Sequence, residues 1–210
     1  MKKFLFAAIL LLLGVVAYFG LQRYTKDLPT STDKPTIVDF VNLIISQEDV
    51  GEEFYEMRGN WEKYLNGQPL PEDRSFIVDK ENGYMRYDAK FDDEGDGRPK
   101  FSHFTEFGLW DCDDSRYKLI VENVVDFCDG EPVAGQFSGI TLYKYNVETQ
   151  ELQYASAYDL GIELDFPEDT RLIVTKLLNK EKSIEYECFT PSDKVLIRLT
   201  WNGSKLEQGK

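Results

Sequence analysis

From residue 72 onward, apolar and polar side chains alternate with a period of two, and this alternation constrains the fold more than any other feature of the sequence. A period of two places successive side chains on opposite faces of a β-strand. Short strands of this kind, separated by turn residues, predict an antiparallel β-meander of about seven to nine strands. The alternating segments are 84–91, 101–110, 139–145, 151–157, 183–189 and 194–201.

One further apolar segment, 117–127, fits two kinds of secondary structure. Its β-branched residues favour a strand, but its apolar positions also have helical spacing. Those positions are Tyr117, Ile120, Val121, Val124 and Val125. Near the C-terminus, Asn202-Gly203 is a dipeptide typical of tight hairpin turns and predicts a terminal hairpin.

Before the alternating region the pattern is helical. Apolar residues recur at i, i+3, i+4 and i+7 from Ile37 to Ile44, and a second helical stripe runs from Phe54 to Leu65 and ends at Asn66-Gly67. Helices with one apolar face usually pack that face on a sheet. We therefore expect an α+β fold with one or two N-terminal helices packed on an antiparallel β-meander. The domain spans 36–210, with 36–66 helical and 72–208 mainly β.

The first 21 residues differ from the rest of the chain. Lys2 and Lys3 precede an uncharged apolar run from Phe4 to Leu21, which has the form of a signal peptide or an uncleaved signal anchor. Residues 22–35 are polar and contain two prolines, as expected of a linker. The lysines before the run predict a cytoplasmic N-terminus. The folded body is then expected outside the cytoplasmic membrane, either periplasmic or anchored by the N-terminal helix.

The charge of the body limits its partners. Residues 1–23 hold three of the 24 basic residues and none of the 38 acidic ones, so the remainder carries a net charge of −17. Such a body repels nucleic acid and anionic lipid surfaces, which leaves the N-terminal segment as the expected membrane contact. The charge favours a protein partner with a basic surface.

Three cysteines, Cys112, Cys128 and Cys188, allow one disulfide, and an exported location would permit it. A bond between Cys112 and Cys128 is disfavoured because 113–127 reads as one regular element. Such an element would separate the two Cα atoms by far more than the roughly 7 Å that a disulfide tolerates. Pairing of either residue with Cys188 stays open, and one thiol stays free.

Two acidic clusters are the candidate partner-binding residues: Asp92, Asp93, Glu94 and Asp96, and then Asp111, Asp113 and Asp114. The first resembles the start of a calcium-binding EF-hand loop, with Asp92, Glu94 and Asp96 at its first three ligand positions. The bidentate glutamate of that motif is replaced by His103. An acidic hairpin loop is therefore the preferred interpretation, with weak calcium binding as the only cofactor or metal considered.

Motifs for catalysis are lacking. His103 is the only histidine, and no G-x-S-x-G, H-E-x-x-H or phosphate-binding glycine loop occurs in the sequence. Acidic pairs suitable for glycoside hydrolysis are unavoidable among so many carboxylates and carry no information. We predict no catalytic residue and expect the protein not to be an enzyme.

Aromatic residues suggest a second kind of binding site. Trp110, Tyr143, Tyr145 and Tyr154 could line a sugar platform, although packing in the core is the better explanation. The sequence therefore favours a non-catalytic cell-envelope domain that binds a protein partner through an acidic surface, as an accessory or inhibitor-like protein. A carbohydrate- or cell-wall-binding module is the alternative, and a carboxylate-based hydrolase ranks last.

Overall fold

The computed structural model describes residues 35–46, 52–91, 99–135, 138–156, 158–162 and 164–209. In these ranges, helices α1 (Ile37–Ile45) and α2 (Glu52–Leu65) precede eleven strands. The strands are β1 (Arg74–Asp79), β2 (Tyr84–Phe91), β3 (Phe101–Asp111), β4 (Tyr117–Cys128), β5 (Glu131–Val133), β6 (Gly139–Asn146), β7 (Glu151–Tyr154), β8 (Leu172–Leu178), β9 (Ser183–Phe189), β10 (Lys194–Trp201) and β11 (Leu206–Gln208). The predicted α+β class with a β-rich body is confirmed.

The strands form two antiparallel sheets. The larger has seven strands in the order β1-β2-β3-β4-β6-β7, with β5 pairing to β4, and the smaller has four in the order β11-β10-β9-β8. The expectation of one sheet with about seven to nine strands is wrong. The chain leaves the larger sheet after β7 and starts the smaller one at β8, and the two sheets pack face to face.

The body has three layers, which are the helices, the larger sheet and the smaller sheet, and strand β4 lies in the middle one. Ile120 belongs to the hydrophobic core beneath the helices, whereas Leu119 and Val121 belong to the core shared with the smaller sheet. Successive side chains of a strand point to opposite faces, so a strand buried on both faces reads as a nearly continuous apolar run. This resolves the ambiguous segment 117–127 as a strand.

The helices cover the outer face of the larger sheet. Helix α1 begins after Thr36, whose backbone N–H donates to Asp39 Oδ2 at 2.7 Å, as in a capping box. Phe40 is buried on that helix and meets Tyr145 of β6 edge to face, with ring centroids 4.8 Å apart. Trp61 Nε1 donates to Asn42 Oδ1 at 2.6 Å and joins α2 to α1. The helical stripes expected from the sequence thus pack on the sheet.

Polar side chains fix how the two sheets meet. Asn123 of β4 exchanges hydrogen bonds with β8, accepting from the Thr175 hydroxyl and donating to the Thr175 carbonyl at 3.3 Å. Trp110 Nε1 donates to Asn179 Oδ1 at 2.8 Å, and Trp201 Nε1 donates to the carbonyl of Asp111 at 2.8 Å. Because these bonds are directional, they define the register between sheets that apolar packing alone would leave loose.

The predicted terminal hairpin is present. The amide of Asn202 donates to the carbonyl of Lys205 at 3.1 Å across the β10–β11 turn. Gly203 has a φ of 106°, and a Cβ there would lie 2.1 Å from Asp113 Oδ1. The turn therefore requires glycine both for its backbone angle and for its contact with the loop after β3.

The predicted signal segment 1–21 and nearly all of the linker 22–35 lie outside the described residues. Neither helix within the described ranges is long and apolar enough to cross a bilayer.

Candidate binding cleft

A cleft of about 620 Å³ opens where the loop after β3, the edge strand β7 and the β10–β11 turn come together. Its volume lies within the range usual for small-molecule or side-chain binding sites. Leu119, Ala155, Leu160 and Trp201 form an apolar floor, and all four are part of the core between the sheets. The floor is therefore held by packing that the fold needs in any case.

Three carboxylate side chains line the cleft around this floor. Asp113 and Asp114 come from the loop after β3, and Asp159 comes from a short 3₁₀ turn at Tyr158–Leu160. The amide of Asp113 donates to the carbonyl of Gly203 at 2.8 Å, so the terminal hairpin positions this loop. Asp113 and Asp114 are neighbours in the sequence, and the fold brings the distant Asp159 to the same opening.

Local hydrogen bonds keep two of these carboxylates ionised. Arg116 Nη2 donates to Asp114 Oδ2 at 2.7 Å, and this hydrogen bond is the main reason that the pKa of Asp114 falls to about 2. Ser156 Oγ donates to Asp159 Oδ2 at 2.6 Å and lowers the pKa of Asp159 below its ordinary value. Both groups are charged at neutral pH.

One ammonium group also lines the described part of the cleft. Lys144 Nζ lies 4.2 Å from the ring centroid of Tyr117, a cation–π contact. Its charge contributes to the lowered pKa values of Asp114 and Asp159, so it lies within electrostatic range of both. Three carboxylates and one ammonium are among the described lining residues, and Arg116 pairs with Asp114, so these groups together carry a net charge of −1.

Tyr154 lies on β7 at the edge of the cleft, but its ring is on the face of the sheet opposite to Gln153 and Lys144. The side chain of Tyr154 is 71% exposed and meets Tyr143 edge to face, with centroids 6.4 Å apart. Gln153 lies beside it and also lines the cleft. Of the aromatic residues proposed for a sugar platform, Tyr154 alone is highly exposed.

The other proposed platform residues are placed differently. Trp110 and Tyr145 are each 1% exposed, so their assignment to an exposed aromatic face is wrong. Trp110 packs between the sheets, and Tyr145 packs beneath the helices, because both occupy inward positions of their strands. Tyr143 is half-buried, and its hydroxyl donates to Glu122 Oε2 at 2.8 Å.

Of the two acidic clusters, the structure describes only the second. Asp111 is exposed, forms an ion pair with Lys118 and is not among the residues that line the cleft. The loop that carries the first cluster joins Phe91 to Phe101, which pair with each other. Phe101 begins β3 and Asp111 ends it, so these two residues lie about 33 Å apart at the usual rise of a strand. The first cluster (Asp92, Asp93, Glu94 and Asp96), and with it the calcium hypothesis, lies outside the described residues.

Within the described ranges, the cleft included, no group of three His, Cys, Asp or Glu side chains could hold a metal ion. His103 contacts the rings of Tyr87 and Phe91 on the helix side of the sheet, and burial lowers its pKa. Ser138 Oγ donates to Asp126 Oδ2 at 2.5 Å. The described hydrogen bonds do not link this hydroxyl to His103, as a Ser-His-Asp triad would require.

All three cysteines are free thiols in the structure, and the possible disulfide with Cys188 stays a prediction. Cys128 pairs with Phe101 at one end of β3, whereas Cys112 follows Asp111 at the other end, as the spacing argument anticipated. Cys188 is buried in the smaller sheet and Cys112 lines the cleft. Burial raises the pKa of the Cys112 thiol, which is therefore protonated near neutrality.

Sequence reasoning identified Asp113 and Asp114 but missed Tyr117, Lys144 and Asp159. These residues come from separate strands and a 3₁₀ turn, and no local motif connects them. Only the pairing of β4 with β6, and of β6 with β7, brings them together.

The chain matches no protein-family model, and neither a curated protein nor a solved structure is significantly similar to it. What the cleft can bind must therefore follow from its own shape and charge.

Proposed function

We propose that this protein is a non-catalytic domain, exported by its N-terminal segment, that binds a basic segment of a protein partner in the cleft beside Asp113. The observation that carries the proposal is the ring of carboxylates, Asp113, Asp114 and Asp159, around an apolar floor. The net charge of −17 beyond residue 23 adds a long-range field of the same sign. Such a field increases the rate at which a basic partner is captured.

The floor and the rim together suit the side chain of lysine or arginine. These side chains bury an apolar stem while keeping a charged head at the surface. Leu119 is fully buried beneath the floor, so the half-buried ring of Tyr117 and the small exposed parts of Ala155 and Leu160 would contact the stem. The rim carboxylates would accept hydrogen bonds from the head. A purely apolar or acidic ligand would leave one of these two surfaces without a partner.

The protonation states of the cleft favour binding over catalysis. A general acid needs a pKa near the working pH, but the pKa values of Asp114 and Asp159 are shifted downward, away from neutrality. A nucleophilic cysteine needs a lowered pKa, but burial raises that of Cys112. These shifts support a site that presents fixed charge.

The test is fluorescence anisotropy with a labelled arginine-rich peptide and the full-length chain in an uncharged detergent. We expect binding at about 0.01 M salt and much weaker binding at about 0.15 M, since the Debye length falls from roughly 30 to 8 Å. Asp113→Asn combined with Asp159→Asn should weaken binding at low salt. The control, Glu168→Gln with Asp169→Asn, removes the same charge from exposed positions away from the cleft lining.

Equal binding by the two double variants would mean that the peptide senses only total charge, and the proposed site would be wrong. The same measurement examines a second candidate, carbohydrate or cell-wall binding, which the exposure of Tyr154 favours. A cell-wall oligosaccharide that binds equally at both salt concentrations, and that loses binding in Tyr154→Ala, would support this candidate instead.

A further inference from the structure

We infer that the partner's basic segment binds as an added β-strand on the free edge of β7, with alternate side chains directed into the cleft. This inference rests on the proposed function and names the conformation in which the ligand is held. Strand addition supplies main-chain hydrogen bonds for affinity and places every second side chain on one face.

Strand β7 is the last strand of the larger sheet, so one of its edges faces away from β6. The amide of Ala155 donates to the carbonyl of Leu142 at 2.8 Å, which fixes the phase of the hydrogen bonds between the two strands. In an antiparallel pair, hydrogen-bonded and non-hydrogen-bonded residue pairs alternate. Gln153 therefore turns its backbone groups toward β6, whereas Leu152 and Tyr154 turn theirs outward.

These outward groups are available for a new strand. Among the described residues, no hydrogen bond joins the backbone of Leu152 or Tyr154 to another turn, loop or cap. The side chains of Glu151, Gln153 and Tyr154 are exposed, so the described residues leave room along the edge. Unpaired edge groups of this kind readily pair with a second chain.

The edge and the cleft are continuous. Gln153, Tyr154 and Ala155 line the cleft that also contains Asp113 and Asp159. A strand lying along β7 would therefore direct one of its faces toward these carboxylates. Charge complementarity then favours a segment whose basic side chains recur at every second residue, with β-branched residues between them to support the extended backbone.

The inference can be tested with a peptide that alternates arginine and threonine, prepared in three forms. One form is unmodified, one is N-methylated at every arginine, and one is N-methylated at every threonine. In an extended strand the N–H groups of alternate residues point to the same side, so one methylated form blocks the edge and the other leaves it free. All three forms carry the same charge.

Binding to the full-length chain is measured by anisotropy at low salt. We expect one methylated form to bind about tenfold or more weakly than the unmodified peptide, because it loses backbone hydrogen bonds, and the other to bind nearly as well. On addition of the unmodified peptide, hydrogen exchange should slow at the amides of Leu152 and Tyr154. The amide of Gln153, already paired to β6, should change much less.

The inference and the proposed function fail in different ways. If both methylated forms bind as well as the unmodified peptide, and Asp113→Asn with Asp159→Asn still weakens binding, the cleft is used but strand addition is wrong. If no form binds in a way that depends on these two carboxylates, the proposed function itself is wrong.

Discussion

The acidic residues of the cleft and those between the two sheets are chemically alike but occupy opposite environments. Glu106 of β3 is only 7% exposed and is surrounded by partners from neighbouring strands. Tyr84 OH donates to its Oε1 at 2.6 Å and Asn123 Nδ2 to its Oε2 at 2.9 Å, while Arg86 lies 3.8 Å away. Asp113, by contrast, is exposed on the cleft rim.

This difference separates carboxylates that stabilise the fold from carboxylates that can bind a ligand. A buried carboxylate whose oxygens already have partners holds neighbouring strands together and has no capacity left for a ligand. Burial and the hydrogen bond to Glu106 also raise the pKa of Tyr84, so this phenol keeps its proton and continues to donate. Local hydrogen bonds keep Asp114 and Asp159 of the cleft ionised while both still face solvent, which is the arrangement that a binding site needs.

The largest expected effect is loss of stability when the buried network is broken. Glu106→Ala leaves the Tyr84 hydroxyl without its acceptor and removes one of the two acceptors of the Asn123 amide. It also removes the more distant of the two carboxylates that pair with Arg86, the nearer one being Asp88. We expect the free energy of unfolding to fall by about 3 kcal/mol, measured by urea denaturation. Glu168→Ala, at an exposed position, should change it by less than about 0.5 kcal/mol. A similar small change for both variants would mean that the network does not stabilise the fold.

The next effect concerns the turn that supports the cleft. Gly203→Ala forces a Cβ into a backbone conformation with φ of 106°, at 2.1 Å from Asp113 Oδ1. We expect a loss of about 1–3 kcal/mol in unfolding free energy, together with weaker peptide binding because Asp113 must move. Gly59→Ala is the matched control, since a Cβ at this helical position meets nothing within 4 Å. It should stabilise the protein by about 0.5–1 kcal/mol without altering binding.

The cleft carboxylates should behave in the opposite way to Glu106. Asp113→Asn with Asp159→Asn removes two exposed charges that no described ion pair uses. An amide at position 159 keeps an oxygen that can accept from Ser156, so the unfolding free energy should change by less than about 0.5 kcal/mol. Peptide affinity should nevertheless fall, as measured by anisotropy. A large loss of stability in this double variant would show that the rim is structural and would remove the contrast between the two regions.

The smallest expected effect is the pH dependence of stability that comes from Asp114. The pKa of Asp114 in the folded chain, about 2, lies below its ordinary value of 3.8, mainly because of the hydrogen bond from Arg116. The unfolded chain therefore binds this proton first, so the contribution of Asp114 to stability is complete above about pH 4 and is lost as the pH falls toward 2. An NMR titration of the carboxyl carbon should give a midpoint near 2 in the folded chain, and Arg116→Gln should return it toward 3.8. A wild-type midpoint near 3.8 would contradict the pairing.

Local patterns predicted much of the fold. The alternating segments 84–91, 183–189 and 194–201 coincide with β2, β9 and β10 residue for residue. Strands β1 and β8 were missed because Phe76–Val78 and Leu172–Val174 are short apolar runs without alternation. Periodicity does not distinguish such runs from loops or buried helical segments.

The division into two sheets could not be predicted for a different reason. Whether β8 continues the first sheet or begins a second depends on the path of residues 155–171 and on contacts such as Asn123 with Thr175, 52 positions apart in the chain. The cleft has the same origin, since Asp113, Lys144 and Asp159 meet only after both sheets have formed. Acidic composition identified the charge, but the fold decides which of the carboxylates remain available.

The most direct test of the central claim is to map peptide binding on the isotope-labelled full-length chain by NMR. On titration with the unmodified arginine–threonine peptide, the account predicts amide shifts at Asp113, Asp114, Lys144, Tyr154 and Gly203, and none around Tyr84, Glu106 and Asn123. Shifts spread evenly over exposed acids such as Glu168 and Asp169, or confined to a surface away from Asp113, would contradict it.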